Sequence, residues 1–346
     1  MAQNTISLPE ELRSRPTTAG INNVGKVRRF HDLKRIEKAF IRLAFVSIVI
    51  AGIITVVRIN GLLKPSADFT FALLLLINLL FILIYVVYGV FWERPFELIV
   101  SIITTLIVML YCIVEFALKG RFHKGKVYII KLVRLIGISA LGPIDIVLGI
   151  IIAYNFYTSK RLIFKTVGGS ALLQKMCRTM FFFEAFLLFD FQLVISLLVL
   201  ILGVSRKITS EEKVVLGLGV PISFFWIVLG FLLTRFENIK LNFIFWIIGF
   251  LEPPYIIWLF VKTKNEVNNQ KKNDYDANVV LFCIFAAGVL GLLLRILVFV
   301  WSYFIFKNFN KGLKEKVYQH ISSAPKRNIL NKSQQNNPNY NSMQSI

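Results

Sequence analysis

Long runs of apolar residues, separated by short polar connections, dominate this chain. Runs of about 18 or more residues are long enough to cross the hydrocarbon core of a bilayer as α-helices. The pattern therefore predicts an all-α, polytopic transmembrane bundle over residues 41–306 with about eight spans. The spans are expected at 41–58, 69–91, 97–118, 135–157, 180–204, 214–233, 241–261 and 279–306. Seven spans is the alternative, because the first of these runs is the shortest.

Polar segments flank the predicted bundle at both ends. Residues 1–40 form a basic arm, and its part 26–40 carries basic and apolar side chains at roughly helical spacing. This spacing predicts either a helix lying on the membrane surface or a solvated basic helix. Residues 307–320 predict a basic helix after the last span. The remainder, 321–346, is rich in Asn, Gln, Ser and Pro, which predicts a disordered tail.

The net charge of +21 does not indicate nucleic-acid binding, because the Lys and Arg residues flank apolar runs and form no separate basic domain. Basic residues in such positions orient a membrane protein and contact anionic lipid headgroups. Connections on the side of the N-terminus carry more of them, so the N-terminus is expected in the cytoplasm. We expect an integral membrane protein whose partners are the bilayer and its anionic lipids. Nothing in the sequence selects one cellular membrane or one protein partner.

Motifs for catalysis and for cofactor binding are incomplete. Residues 120–126 (GRFHKGK) match most of a phosphate-binding loop, but Val127 stands where a magnesium-binding hydroxyl is required. The three histidines lie outside the spans and far apart, and the three cysteines are scattered. Neither set has the spacing of a metal site. We therefore expect no enzyme activity, no cofactor and no metal.

Four ionisable residues stand inside predicted spans: Asp145, Asp190, Glu252 and Arg295. Each costs about 2.5–3.5 kcal/mol or more at the bilayer centre, so such residues face the bundle interior and find partners. Counted from span ends on one side of the membrane, all four lie at a similar depth. We predict that they share one level, as a candidate intramembrane polar site. The residues expected to extend it are Glu115, Asn155, Glu184 and Gln192.

Candidate helix breaks adjoin two of the four. Gly142 and Pro143 precede Asp145, and Pro253 and Pro254 follow Glu252. Proline removes a backbone donor and kinks a helix, and transporters build midplane sites from interrupted helices beside charged groups.

Three interpretations of the charged level stay open: an interhelical clamp, a pathway for ions or solutes, and a ligand pocket. The leading functional hypothesis is transport of an ion or a small solute. The alternative is a non-transporting membrane scaffold or signalling partner, in which the charges only hold helices together.

Several short motifs also resemble, in their order along the chain, a family of multi-span animal membrane proteins that carry a domain of unknown function. They are 94–97 (RPFE), 142–143 (GP), 173–176 (LQKM), 189–192 (FDFQ), 210–213 (SEEK), 251–253 (LEP) and 312–314 (GLK). The resemblance implies the multi-span architecture and brings no established activity.

Overall fold

The chain is described here by a computed structural model. It describes residues 21–22, 25–26, 28–60, 67–119, 126–160, 163–164, 167–204, 210–269 and 275–318. The predicted disordered tail at 321–346 and residues 1–20 of the basic arm lie outside the described residues.

Nearly all of the described residues are helical. A short antiparallel pair, β1 (Ile21–Asn22) and β2 (Gly25–Lys26), and a 3₁₀ turn at Phe30–Asp32 precede the helices. The helices are α1 (Arg35–Asn60), α2 (Ala67–Phe91), α3 (Pro95–Lys119), α4 (Lys126–Ser159), α5 (Ala171–Val204), α6 (Ser210–Phe236), α7 (Ile239–Phe250), α8 (Glu252–Asn269), α9 (Tyr275–Lys307) and α10 (Leu313–Tyr318).

The described part of the chain contains eight helical segments that are long and apolar enough to cross a membrane. Seven are single helices, and the eighth runs from Ile239 to Lys262 through α7 and α8. The first predicted span is among them, within Arg35–Ile59. The prediction of an all-α bundle of membrane-length helices is therefore confirmed, and the chain is an integral membrane protein.

Helix α5 forms the centre of the bundle. In its most apolar stretch 72% of the residues are buried, whereas the corresponding shares are 17% for α1 and for α4. It packs against α2, α3, α6 and α9, while α1 to α4 form a group of their own through α1–α2, α2–α3, α3–α4 and α1–α4 contacts. Large apolar side chains cover the outer surface, among them Ile247 and Phe282. An apolar exterior of this extent matches a lipid environment.

The polar segments at the two ends of the bundle differ from their predicted form. Residues 26–40 do not form one basic helix, because α1 begins only at Arg35. The backbone N–H of Lys34 donates to the Glu37 carboxylate at 2.9 Å, which satisfies a free donor at the helix start. After the last span the chain turns through Gly312, whose φ of +85° lies in the left-handed region, before the short α10. The predicted basic helix at 307–320 is thus interrupted.

Candidate functional site

Three of the four intramembrane charges meet in one cluster beside α5. The Arg295 guanidinium lies 2.7 Å from Oδ2 of Asp190 and also forms an ion pair with Glu252. The Arg295 and Asp190 side chains are 2% and 1% exposed, whereas the Glu252 side chain is 17% exposed. We call Asp190, Glu252 and Arg295 the central charged cluster. It joins α5, α8 and α9.

An aromatic pair holds the guanidinium from a fourth helix. The Arg295 Cζ lies 3.7 Å from the ring centroid of Trp226 on α6, within the range of a cation–π interaction. The Trp226 ring stacks on Phe245 of α7 with the centroids 4.6 Å apart. The Trp226 indole N–H also donates to the Phe245 carbonyl at 3.0 Å. This packing fixes the ring that supports Arg295.

The position of Glu252 depends on a break in the seventh span. Helix α7 ends at Phe250 and α8 begins at Glu252, with Leu251 between them. Pro253 and Pro254 fall in the first turn of α8, where backbone N–H groups have no intrahelical acceptor and proline is tolerated. The sequence break predicted at these prolines therefore coincides with a helix boundary, and it places the carboxylate in the first turn of a helix.

The other predicted break is absent. Helix α4 continues from Lys126 to Ser159 through Gly142 and Pro143. Proline removes one backbone N–H donor from the helix. The other backbone hydrogen bonds of this 34-residue helix keep it continuous through Pro143. Pro221 inside α6 is tolerated in the same way.

Asp145 does not lie with the other three charges. It lines a separate cavity of about 20 Å³ together with Ser101 and Thr105 of α3 and Phe40 of α1. The prediction of one site formed by all four residues is therefore wrong for Asp145, whereas their shared depth stays a prediction. Depth along a helix follows from residue count, but the direction in which a side chain points depends on how the helix is rotated against its neighbours.

A second buried ion cluster was missed as such by the sequence analysis. The Arg94 Nη1 donates to Oε1 of Glu97 at 2.9 Å and to Oε2 of Glu184 at 2.6 Å. The Thr234 hydroxyl donates to the other Glu184 oxygen at 3.2 Å. We call Arg94, Glu97 and Glu184 the Arg94 cluster. It ties the start of α3 to α5 and α6.

The surroundings of Arg94 stabilise its charge. The Arg94 and Glu97 side chains are both 0% exposed. Burial alone would lower the pKa of Arg94, but the carboxylates of Glu184 and Glu97 raise it above its ordinary value. The Arg94 Cζ also lies 4.4 Å from the Phe181 ring centroid. The signal in the sequence is the spacing of Arg94 and Glu97 across Pro95, which is also one of the motifs of the family resemblance.

Gln192 joins a third polar set, two residues after Asp190 on α5. Its amide oxygen accepts from the Tyr85 hydroxyl at 3.0 Å and from the Thr104 hydroxyl at 3.3 Å, and its NH₂ donates to Asn78 at 2.5 Å. Of the other predicted extensions, Glu184 belongs to the Arg94 cluster and Asn155 is exposed. The side chain of Glu115 lies outside the described residues.

In the described part of the chain, no group of three or more His, Cys, Asp or Glu side chains is arranged to hold a metal ion. Within each of the three polar sets around α5, the side chains form ion pairs or hydrogen bonds with other members of that set.

A family comparison adds to this geometry. A family described as Domain of unknown function (DUF7789) matches residues 24–154 and 167–304. The chain belongs to this family. The two matched segments include all three members of the Arg94 cluster and all three members of the central charged cluster. The comparisons with curated proteins and with solved structures found no match.

Proposed function

We propose that this chain is a membrane transport protein for an ion or a small solute, with the central charged cluster as its site. One observation carries the proposal: two carboxylates, Asp190 and Glu252, share one guanidinium, Arg295. One guanidinium neutralises one carboxylate, so a proton or a cation has to balance the other. Unbalanced charge inside a bilayer is costly, which makes such residues functional candidates.

The helix break supports the same proposal. The 12 residues of α7 place Glu252 about 18 Å from the start of that helix, at roughly 1.5 Å per residue. This depth is close to the middle of a bilayer about 30 Å thick. Transporters place charged groups and interrupted helices together at this level.

The ion pairs suggest how such a site works. A proton or cation that neutralises Glu252 leaves Arg295 paired with Asp190, and neutralising Asp190 leaves Arg295 paired with Glu252. Glu252 has the more accessible side chain, so it is the carboxylate that first binds or releases the proton or cation. The two pairings bind α9 to different helices, α5 and α8, so ligand exchange is coupled to helix packing.

A specific observation favours the second candidate, a non-transporting membrane scaffold. Arg295 is 2% exposed and packed on Trp226, and the Arg94 cluster is as deeply buried. A packed, paired charge acts as a clamp between helices. In that case the ion pairs of the central charged cluster stabilise the bundle, and the protein transports no ion or solute.

The test is proton and ion flux into liposomes that contain the purified full chain. The variants are Asp190→Asn and Glu252→Gln, and Asp145→Asn is the matched control because it makes the same change in a separate cavity. Thermal unfolding is recorded for every protein. Transport predicts flux in the wild type and the control, and at least tenfold lower flux in a folded Glu252→Gln variant.

The contrary result is equally clear. The ion-transport form of the proposal fails if wild-type liposomes show no more flux than empty liposomes. This comparison is made for protons, alkali cations and chloride. A small-solute form fails if the Glu252→Gln variant keeps wild-type solute uptake. Early unfolding of both cluster variants without flux in the wild type supports the scaffold.

A further inference from the structure

A cleft of about 210 Å³ opens at the end of the bundle that carries the N-terminal segment. It lies between the turn after α2, the C-terminal end of α4 and the first turns of α5. Its polar lining includes Lys160, Gln174, Lys175 and Arg178. We call it the basic cleft. No member of the central charged cluster or of the Arg94 cluster is among its lining residues, although Phe181 contacts both the cleft and Arg94.

The basic cleft carries unbalanced positive charge. Within the described residues, Lys160, Lys175 and Arg178 have no carboxylate at salt-bridge distance. Among the described lining residues the carboxylate is that of Glu93, which forms an ion pair with Arg28 at 3.3 Å. Three cations therefore face a common space in which no carboxylate of the described residues neutralises them. Such a space attracts an anion.

Aromatic side chains form the wall beneath these cations. Phe96, Phe156 and Phe181 line the cleft, and the Arg178 Cζ lies 3.8 Å from the ring centroid of Tyr157. Stacking on Tyr157 holds the Arg178 guanidinium at the cleft rather than in bulk solvent. The site therefore combines an anion-binding rim with an apolar floor.

The last residues before α5 are anchored to its first turn beside the cleft. The Gln174 side chain donates to the Gly168 carbonyl at 2.8 Å, and Gly168 has a φ of +75°, which glycine adopts without strain. This bond fixes the end of the connection to the first turn of α5. Lys175, the next residue after Gln174, lies in this anchored first turn.

Exposed apolar side chains stand close in sequence to residues that line the cleft. Phe164 in the connection is 60% exposed, Leu172 in α5 is 58% exposed, and Tyr154 in α4 is 68% exposed. In a membrane protein such side chains face lipid or its interface with water. A molecule with an anionic head and hydrocarbon chains would therefore meet the basic cleft and this surface at once.

We infer that the basic cleft binds the phosphate headgroup of an anionic phospholipid. Pockets for drug-sized ligands measure about 300–1,000 Å³, so 210 Å³ is the size for a headgroup whose chains stay in the bilayer. Free phosphate would satisfy the cations, but it would leave the adjoining apolar surface unused. The inference does not depend on transport, because it uses none of the residues of the central charged cluster.

The experiment measures lipid binding to the purified full chain by native mass spectrometry. The probes are phosphatidylinositol 4-phosphate, which is anionic, and phosphatidylcholine, which is zwitterionic. The test variant is Lys175→Gln with Arg178→Gln. The matched control is Lys240→Gln with Lys311→Gln, two exposed lysines outside the cleft. Because Arg178 also packs on Tyr157, a second test variant, Lys160→Gln with Lys175→Gln, changes only exposed side chains.

We expect the wild type to bind the anionic lipid more tightly than phosphatidylcholine. The affinity for the anionic lipid should fall by about tenfold or more in each test variant. In the control variant it should stay within about twofold of the wild-type affinity. Excess inorganic phosphate should not displace the lipid. Equal losses in test and control variants would show general electrostatic attraction and overturn the inference. Displacement of the lipid by inorganic phosphate alone would assign the cleft to a soluble anion and overturn it as well.

Discussion

Arg94 and Glu184 lie 90 positions apart in sequence, yet the Arg94 guanidinium donates to the Glu184 carboxylate at 2.6 Å. Their side chains are 0% and 3% exposed. A charge pair so buried contributes little net stability relative to an apolar pair, but losing the guanidinium would leave the carboxylates of Glu97 and Glu184 uncompensated. The contact therefore holds the start of α3 to the centre of α5 in one register.

Glu184→Ala should destabilise the protein by about 1.5–3 kcal/mol, because Arg94 loses one of its two charge-assisted hydrogen bonds while Glu97 still neutralises the guanidinium. The measurement is the free energy of unfolding in detergent micelles by denaturant titration. Glu93→Asn is the control, since it removes a longer, 3.3 Å pair with Arg28, which keeps Glu37 as a second partner, and asparagine tolerates the φ of +50° at this position. Similar losses in the two variants would contradict a clamp role for Glu184.

Gly249→Ala should disturb the support of Arg295 without changing any charge. A Cβ at Gly249 would lie 2.7 Å from the Phe299 ring and 3.0 Å from the Trp226 indole nitrogen, and rigid rings cannot yield easily. Overpacking of this kind costs about 1–3 kcal/mol in unfolding free energy. Thermal unfolding and tryptophan fluorescence measure the change.

The control for this substitution is Gly291→Ala, on α9, where an added Cβ meets no atom within 4 Å. Replacing a helical glycine in open space should be neutral or stabilise by up to about 1 kcal/mol. If both alanine variants unfold alike, the close packing around Gly249 is not what positions Trp226.

The membrane helices could be predicted from the sequence because length and apolarity decide whether a segment spans a bilayer. Depth was also accessible: Asp190, Glu252 and Arg295 were placed at one level by counting residues, and they lie together. Asp145 was placed at that level by the same count, yet it lies in another cavity. In a helix that is apolar on every side, the sequence has no polar face that would indicate how the helix is rotated about its axis. Counting residues therefore gives the depth of a side chain in the membrane but not the direction in which it points.

Arg94 shows a different limit. It stands between two spans, a position in which a basic residue ordinarily contacts headgroups. The turn after α2 instead directs its side chain into the bundle, where Glu97 is three residues away and Glu184 is supplied by α5. The local spacing was visible in the sequence, but the distant partner depended on tertiary packing.

Glu237→Asn should release α10 from the bundle. The Glu237 carboxylate accepts from the backbone N–H of Asn310 at 2.9 Å and of Lys314 at 3.0 Å. Asparagine tolerates the φ of +49° at this position but is one methylene shorter. Amide exchange over 308–318 should accelerate by about tenfold or more, since bonds to a charged acceptor are among the stronger ones. Hydrogen–deuterium exchange with mass spectrometry measures it.

Glu93→Asn is the matched control, because Glu93 has a φ of +50° in the turn between α2 and α3 and contacts Arg28 rather than α10. Exchange over 308–318 should stay at the wild-type rate in this variant. An unchanged rate in Glu237→Asn itself would mean that Leu313, which is buried, holds α10 without the carboxylate.

The number of spans and the side of the C-terminus can be tested with one single cysteine between α1 and α2 and another after α9. With eight spans and a cytoplasmic N-terminus, Ser66→Cys lies outside and Ser322→Cys inside. An impermeant maleimide applied to sealed vesicles with the cytoplasmic face inward should then label only Ser66→Cys. The background is low because Cys112 and Cys177 are buried, and Cys283 can be replaced by Ser. If α1 did not span, the labelling would reverse, with Ser322→Cys labelled and Ser66→Cys protected, because an odd number of spans moves the C-terminus across the membrane.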